Sequence, residues 1–243
     1  MCRHLAWLGE PRTLHDLIVE PPHGLYTQAW APRRQRYGTV NADGFGAGWY
    51  VPSRPEPVRY RRAQPIWADA SFASLAPTIA SGCVLAAVRS ATVGYAGDES
   101  CAAPFTHDRY LFSHNGALAK PGLARAALQN AITWVPDAQA GVDSALLFGL
   151  ATSYWMAGAD LAGGLAEMAR NAGPVADGRL TSIATDGTAL AGVTWDEPLY
   201  VRTTAAGTTL AAEPDDDAAG WRQVPDRHVV TVTASGVTIS ALE

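Results

Sequence analysis

Met1-Cys2-Arg3-His4-Leu5-Ala6-Trp7-Leu8-Gly9 opens the chain. Residues 3–9 are a short apolar run closed by glycine, which predicts a buried strand ending at a turn. Met1 before a small residue is a good substrate for aminopeptidase removal. Cys2 would then carry a free α-amine and a thiol on one residue. Their ordinary pKa values are about 7.7–8.0 and about 8.5. Near neutral pH the amine can take the thiol proton, directly or through a water, so one residue serves as nucleophile and base. The thiolate would attack an amide carbonyl and the amine would return a proton to the leaving group. A cysteine at position two is otherwise an incidental small residue, so the reading depends on what else converges on it.

Three further stretches do. In Phe112-Ser113-His114-Asn115-Gly116, a strand over Tyr110 to His114 is expected to end in an Asn-Gly turn. The Asn115 amide and the Gly116 N–H could both point at one place, as an oxyanion hole for a tetrahedral intermediate. The plain alternative is a hairpin turn, for which Asn-Gly is a strong signal. In Val88-Arg89-Ser90-Ala91-Thr92-Val93-Gly94, Arg89 closes an apolar strand and can grip a carboxylate with two parallel hydrogen bonds, with Thr92 adding a hydroxyl or backbone contact. The alternative is an ordinary salt bridge. Asp143 starts an apolar helix, where it either caps the helix or receives an ammonium group. Arg89 and Asp143 together would clamp the α-carboxylate and α-amine of a glutamyl group.

Away from these stretches the pattern reads as strands, then helices, then strands. Thr13 with Asp16 is a capping box for a short helix up to Val19. Residues 20–37 read as a Pro-rich aromatic loop, Gly46 to Val51 as a strand, Asp69 to Ala80 as a helix and Cys83 to Arg89 as a central strand. Helices are expected over residues 121–131, 143–157 and 160–172. Strands follow over 179–186, 188–194, 199–203, 208–212, 229–233 and 237–241, with turns at Asp186-Gly187 and Ser235-Gly236. The expected fold class is α+β, a single domain over residues 1–243 with antiparallel sheets sandwiched between helices. Asp215-Asp216-Asp217 reads as a solvated loop.

Composition narrows the classes. Of 243 residues, 48% are hydrophobic and 17% charged, enough for a sizeable core and too apolar for disorder. The net charge of −5, with basic residues concentrated only at 33–36 and 59–62, argues against a nucleic-acid partner. No run approaches the roughly 18 apolar residues of a membrane helix, and no apolar stretch suited to a signal peptide follows the N-terminus. A cytoplasmic protein is expected, with no membrane association. The three cysteines, Cys2, Cys83 and Cys101, are odd in number and widely spaced, so no disulfide framework is expected. No closely spaced Cys or His pair supports a zinc module, and no metal or cofactor is expected.

The ordered set of a Met-Cys start, Asn41-Ala-Asp-Gly-Phe-Gly-Ala-Gly-Trp-Tyr50, Arg89-Ser-Ala-Thr-Val-Gly94, His114-Asn-Gly116 and Asp143-Ser144 resembles the class II glutamine amidotransferases. The resemblance spans roughly the first 150 residues. It implies an N-terminal-nucleophile fold, the four-layer αββα sandwich, with Cys2 as nucleophile, Asn115 and Gly116 as oxyanion hole, Arg89 and Thr92 on the glutamyl α-carboxylate and Asp143 on its α-amine. Two stretches depart from the family pattern. Cys101-Ala-Ala-Pro-Phe105 lacks the family's histidine before the proline, and Ala145 replaces a usual glutamate.

No P-loop motif is present and no length remains for a synthetase domain. The chain is therefore similar to stand-alone members that hydrolyse a small γ-glutamyl amide. The implied leaving group carries a trimethylammonium on a histidine-derived moiety. Such cations sit on aromatic faces, and Tyr26, Trp30, Tyr37, Trp67 and Tyr95 are the candidates. The alternatives are a stand-alone glutaminase or other γ-glutamyl amidase, and a non-catalytic binding or regulatory protein.

Overall fold

The computed structural model describes residues 2–91, 97–133 and 135–243. In chain order its strands are β1 (Cys2–Thr13), β2 (Phe45–Trp49), β3 (Val58–Arg62), β4 (Ala80–Arg89), β5 (Phe105–His107), β6 (Tyr110–Leu118), β7 (Gly178–Thr185), β8 (Leu190–Val193), β9 (Tyr200–Thr203), β10 (Gly207–Ala211), β11 (Arg222–Gln223), β12 (His228–Thr233) and β13 (Gly236–Ala241). The α-helices are α1 (Leu14–Ile18), α2 (Leu25–Gln28), α3 (Ala70–Leu75), α4 (Pro121–Leu128), α5 (Asp143–Met156) and α6 (Leu161–Ala176). The strands form two sheets, ordered β11-β9-β10-β1-β4-β2-β3 and β13-β12-β8-β7-β6-β5. Every recorded pairing is antiparallel.

Side-chain alternation along the central strands builds the layers. Leu5 and Trp7 of β1 join Val84, Ala86 and Val88 of β4 in a core shared with Leu14, Leu17 and Leu25 from α1 and α2. The intervening Ala6, Cys83 and Leu85 face the other way and meet Leu111, Ile183, Val201 and Val230 between the sheets. Phe112 of β6 points out again, to a core with Phe148, Leu147 and Met168 from α5 and α6. Helices therefore cover both outer faces, giving the αββα sandwich.

The capping box forms as read: Asp16 N–H donates to Thr13 Oγ1 at 3.0 Å, and Thr13 N–H to the Asp16 carboxylate at 3.2 Å. Five expectations need correction. The first strand, expected over residues 3–9 with a turn at Gly9, runs on to Thr13. The strand expected to end at His114 runs on to Leu118, so Asn115-Gly116 lies within a strand and makes no turn. There Asn115 pairs opposite Thr181 and Gly116 opposite Leu180, and the β7 ladder overrides the local turn propensity. The helix expected over 69–80 stops at Leu75, where Pro77 ends regular i→i−4 bonding and a 3-10 turn follows. The region 20–37 contains a short helix, α2, and β5 and the two-residue β11 were not foreseen. The acidic run is not a free loop. Asp216 accepts from Arg202 at 2.5 Å and from the Trp221 indole at 2.9 Å, while Asp217 accepts from Arg33 at 2.7 Å and lies 3.1 Å from the His23 ring. Burial and neighbouring Asp216 push the Asp215 carboxyl up to about 6.

No helix among the described residues is long and apolar enough to cross a membrane. Phe148 is fully buried between Phe105 and Phe112, at centroid distances of 5.9 and 5.8 Å. Phe148→Ala should cost about 3–5 kcal/mol through lost transfer energy and a residual cavity. Chemical denaturation measures it, and a loss below about 1 kcal/mol would mean the α5 layer packs otherwise.

Candidate active site

The register of β1 on β4 sets Cys2 opposite Arg89, and β2 lies on the other side of β4 with Phe45 opposite Val88. Cys2, Arg89 and the segment before Phe45 thus share one end of the first sheet. Period two also puts Cys2 on the same face of β1 as Ala6, towards the second sheet. Arg89 is buried at the strand end. Its backbone N–H donates to Gly44 O at 2.8 Å, its carbonyl accepts from Asp43 N–H at 2.9 Å, and its Nη1 donates to Asp43 O at 3.2 Å. The Asp43 carboxylate in turn accepts from Ala91 N–H at 2.8 Å. A fork held in this way suits a carboxylate. Thr92 and Tyr95 lie outside the described residues.

The second sheet brings Asn115 to the same place. Leu111, which lies between the sheets, fixes the inward parity of β6, so Ser113 and Asn115 also face inward. Asn115 is fully buried. Its amide is assigned with nitrogen towards the Cys2 carbonyl oxygen, to which it donates, and with oxygen accepting from Arg3 Nη2 at 3.1 Å. The reverse assignment would set two acceptors face to face.

Gly116 follows from the ladder. Leu180 N–H donates away from β6, to Trp195 O at 3.0 Å. Gly116↔Leu180 is therefore a non-hydrogen-bonded pair, and the Gly116 N–H points away from β7. Two residues on, the Leu118 N–H points to that same edge and donates to the Asp143 carboxylate at 2.9 Å. Register on β5 ends at Phe112. The Gly116 N–H is thus aimed at an edge beyond the β5 ladder, beside Asp143. A Cβ at Gly116 would overlap Arg179 O and the His114 ring, so only glycine fits.

Asp143 is the first residue of α5, after the N-cap Val142. Its second oxygen accepts from Ser144 N–H at 2.9 Å. Each carboxylate oxygen keeps a further lone pair in this arrangement. His114 braces the same corner. Its Nε2 lies 2.8 Å from Arg179 O and its Nδ1 3.0 Å from Ser144 Oγ. Because a carbonyl only accepts, Nε2 carries the proton and Nδ1 accepts from Ser144. Burial lowers the pKa of His114 against the opposing pull of Asp143, which keeps the ring neutral.

Behind Cys2 and Asn115 lies a charge cluster that the sequence reading did not find. Arg3 is fully buried. Its Nε donates to Cys2 O at 2.9 Å, and its guanidinium stands 3.7 Å from Glu213 and 4.0 Å from Glu197. Burial lowers its pKa, and the two carboxylates oppose that. Glu213 accepts the backbone N–H groups of Arg33 and Arg34 at 3.0 and 2.9 Å. Glu197, its pKa raised by burial, also pairs with Arg179 at 2.9 Å. The Arg179 cation sits 4.1 Å over the Tyr37 ring. No local signal marks it, because Glu197 adjoins Asp196 and Glu213 precedes the acidic run 215–217, so both read as surface charge.

The aromatic candidates divide. Tyr37 covers Arg179, whereas Tyr26, Trp30 and Trp67 meet edge to face, at 4.9 and 5.8 Å between centroids. They line an open cavity of about 400 Å³. Trp30 and Trp67 stay 43% and 40% exposed, well outside the usual burial of tryptophan. Asn41 ties this loop down through Ala29 O and Gln28 O, two residues before Asp43 meets Arg89. Asn41 thereby links the Trp30 loop to the segment that holds Arg89. Among the described residues no group of three His, Cys, Asp or Glu could hold a metal ion.

A family model described as glutamine amidotransferases class-II matches residues 23–235. A gamma-glutamyl-hercynylcysteine sulfoxide hydrolase of Mycobacterium tuberculosis (strain CDC 1551 / Oshkosh) is 42% identical over 243 residues, covering 100% of this chain and 97% of its own. The protein of that name from Mycolicibacterium smegmatis is 43% identical over 242 residues, covering 100% of both. A solved glutamine aminotransferase class-II domain protein from Silicibacter pomeroyi superposes with a TM-score of 0.73 at 25% identity over 100% of both chains. The glutamine phosphoribosylpyrophosphate amidotransferase of B. subtilis gives 0.69 at 14% identity, covering 100% of this chain and 49% of its own, which is a likeness of fold.

The three thiols differ in access. Cys2 is half-buried, and Cys83 and Cys101 are buried. Burial pushes the Cys83 thiol up to about 12, so almost no thiolate forms there near neutral pH. Iodoacetamide at about pH 8 should label Cys2 first and leave Cys83 unmodified in the folded protein. Peptide mass mapping reads this, and a Cys83 adduct appearing as fast as the Cys2 adduct would contradict the geometry.

Proposed function

The chain belongs to the class II glutamine amidotransferases, and from that premise we propose that it hydrolyses the γ-glutamyl amide of γ-glutamyl-hercynylcysteine sulfoxide, releasing glutamate and hercynylcysteine sulfoxide in ergothioneine biosynthesis. Full-length identity above 40% to two hydrolases of that name carries the substrate assignment. The carrying structural observation is the Asn115 amide nitrogen turned towards Cys2, beside a Gly116 N–H at the open strand edge.

In this reading Met1 is removed and the α-amine of Cys2 takes the thiol proton. Arg89 holds the substrate α-carboxylate and Asp143 its α-ammonium, with Thr92 assigned to the carboxylate side. The thiolate adds to the γ-carbonyl carbon. Negative charge grows on the carbonyl oxygen, where Asn115 Nδ2 and the Gly116 N–H receive it. The tetrahedral intermediate collapses as the Cys2 ammonium hands its proton to the departing nitrogen. A water, deprotonated by the same amine, then opens the thioester and frees glutamate. Arg89 and Asp143 read only the glutamyl half. The trimethylammonium of the leaving half suits the corner formed by Tyr26, Trp30 and Trp67, because a quaternary cation is held by ring faces rather than by hydrogen bonds.

Incubating the processed protein with γ-glutamyl-hercynylcysteine sulfoxide should release glutamate, and Cys2→Ala should abolish it. Turnover surviving in Cys2→Ala would remove the nucleophile assignment, and comparable turnover of free glutamine would favour a general glutaminase. Mass spectrometry of the N-terminus should find Cys2 first.

Trp30→Ala should raise the KM for this substrate by about tenfold, from a cation–π loss of about 1–2 kcal/mol. The effect on a γ-glutamyl amide without a cation should be smaller. Equal effects on both would take the corner out of the reading.

A further inference from the structure

Arg89 and Asp143 account for the glutamyl half of the proposed substrate, and the aromatic corner for the trimethylammonium at its far end. One charge has no partner in that account. The scissile nitrogen is the α-nitrogen of a cysteine residue, so the carbon beside it carries a carboxylate. Free glutamine has no group there.

Strand geometry fixes the side on which this carboxylate lies. Arg89 gives its N–H to Gly44 O, and its carbonyl accepts from Asp43 N–H, both away from β1. Cys2↔Arg89 is therefore a non-hydrogen-bonded pair, and the backbone polar groups of Cys2 point away from β4. The Cys2 carbonyl oxygen shows this, accepting from Arg3 Nε at 2.9 Å. In a strand the N–H and C=O of one residue leave on the same edge. The α-amine of the mature chain thus presents its proton to that edge, and the leaving nitrogen must come there to receive it.

We propose that Arg179 binds this carboxylate, so that the site takes γ-glutamyl amides of α-amino acids in preference to simple γ-glutamyl amides. The proposal rests on the hydrolase reading above and gives its leaving side a residue. Arg179 lies in β7 opposite Ala117, and Asn115 lies opposite Thr181. Ile183 faces between the sheets, which gives Thr181 and Arg179 the same inward parity as Asn115. Arg179 and Asn115 are therefore diagonal neighbours on one face, about 7–8 Å apart at the backbone. Contacts lead from the Cys2 edge to the same place. Arg3, which meets the Cys2 carbonyl, stands 4.0 Å from Glu197, and Glu197 stands 2.9 Å from Arg179.

The guanidinium is held in a way that leaves one edge for a ligand. Its Nε pairs with Glu197, and its flat face lies 4.1 Å from the Tyr37 ring. Together they fix its plane. For the Nη1–Nη2 edge no acceptor is recorded among the described residues, and two parallel N–H groups there match a carboxylate. The Arg179 side chain is 24% exposed, whereas Arg3 behind it is fully buried. Two other arginines of the region are engaged elsewhere, Arg33 on Asp217 at 2.7 Å and Arg34 on the Tyr200 hydroxyl at 2.9 Å.

The test compares γ-glutamyl-hercynylcysteine sulfoxide with its cysteamine analogue, which lacks only the cysteine carboxylate. On the processed wild type, kcat/KM for the analogue should be about 10- to 100-fold lower, the range for hydrogen bonds between charged groups. Arg179→Gln should remove that difference. It should cost the parent compound about the same 10- to 100-fold and the analogue less than about threefold. Arg179→Lys keeps the charge and loses the fork, so the parent compound should fall in between. Arg36→Gln, on the exposed loop beside Tyr37, should leave both compounds within about twofold, as surface changes away from a binding contact do.

Equal losses on both compounds would make Arg179 a mere support for Glu197 and Arg3 and would overturn the proposal. A preference that survives in Arg179→Gln would overturn it as well. Binding to Cys2→Ala gives a readout without turnover and leaves Arg179 untouched. Calorimetry should find the cysteamine analogue weaker by a similar factor. Equal affinity there would overturn the proposal even if no Arg179 variant folds. Wild-type protein that neither binds nor cleaves either compound would instead sink the hydrolase reading.

Discussion

The antiparallel ladder between β1 and β4 is the constraint on which the site depends. It places Cys2 opposite Arg89 and gives both residues one sheet end. Because side chains alternate, the same register sends Leu5 and Trp7 to the outer helices and turns Ala6 to the second sheet. A slip of one residue would exchange these faces and move Cys2 away from Asn115. The apolar burial of the two cores therefore also holds Cys2 in position. Stability and site geometry are set by one choice of pairing, so the site needs no separate framework.

Strand and helix periods were readable from the residues where burial is one-sided and local. The Thr13–Asp16 capping box, the central strand ending at Arg89 and the start of α5 at Asp143 all appear where the pattern put them. Asn115-Gly116 was expected as a turn, and the structure makes it part of a strand. The turn propensity of Asn-Gly is a short-range preference of modest size. Six further residues of β6 are paired with β7, and that ladder outweighs it. The strand conformation is what aims the Gly116 N–H at the open edge, since only alternate N–H groups leave the ladder on that side. The Arg3 cluster was not legible at all. Its members are separated by up to about 200 residues of chain, and nothing local marks an arginine in an apolar run as buried and paired. The aromatic reading was partly legible, because exposure of Trp30 and Trp67 depends on a loop path that composition does not fix.

The buried charges around Arg3 raise an energetic question. Moving a guanidinium and two carboxylates out of water costs several kcal/mol per ion, and attraction between them only partly offsets it. The cluster does not minimise that cost. The Arg3 contacts to the two carboxylates, at 3.7 and 4.0 Å, are loose for ion pairs, while Arg3 bonds tightly to Cys2 O and Glu213 to the N–H groups of Arg33 and Arg34. Those bonds tie the first strand to the loop that leads from the aromatic corner. A neutral core would be at least as stable and would leave these two segments free of each other. The arrangement makes sense as a device for registry rather than for stability.

This bears on how selectivity and chemistry are divided. On the proposed reading, the groups for the glutamyl half stand on regular elements: Arg89 ends β4, Gly116 lies in β6 and Asp143 begins α5. Their positions are fixed by ladders and a helix start, so they are accurate but also generic, since any γ-glutamyl amide presents the same carboxylate, ammonium and carbonyl. On the same reading, what lies beyond the carbonyl falls to the loop over residues 29–41 and the Trp67 segment, and loops differ in length and path far more easily than a sheet does. A loop that reads the leaving group is useful only if it keeps its place relative to the reacting carbonyl, because misplacement of about 1 Å costs large factors in rate. On that reading, the Glu213 bridge from Arg33 and Arg34 to Arg3, and from Arg3 to Cys2 and Asn115, would supply that fixed distance. Specificity can then change by altering Trp30 or its neighbours while the oxyanion donor stays where the two sheets have put it.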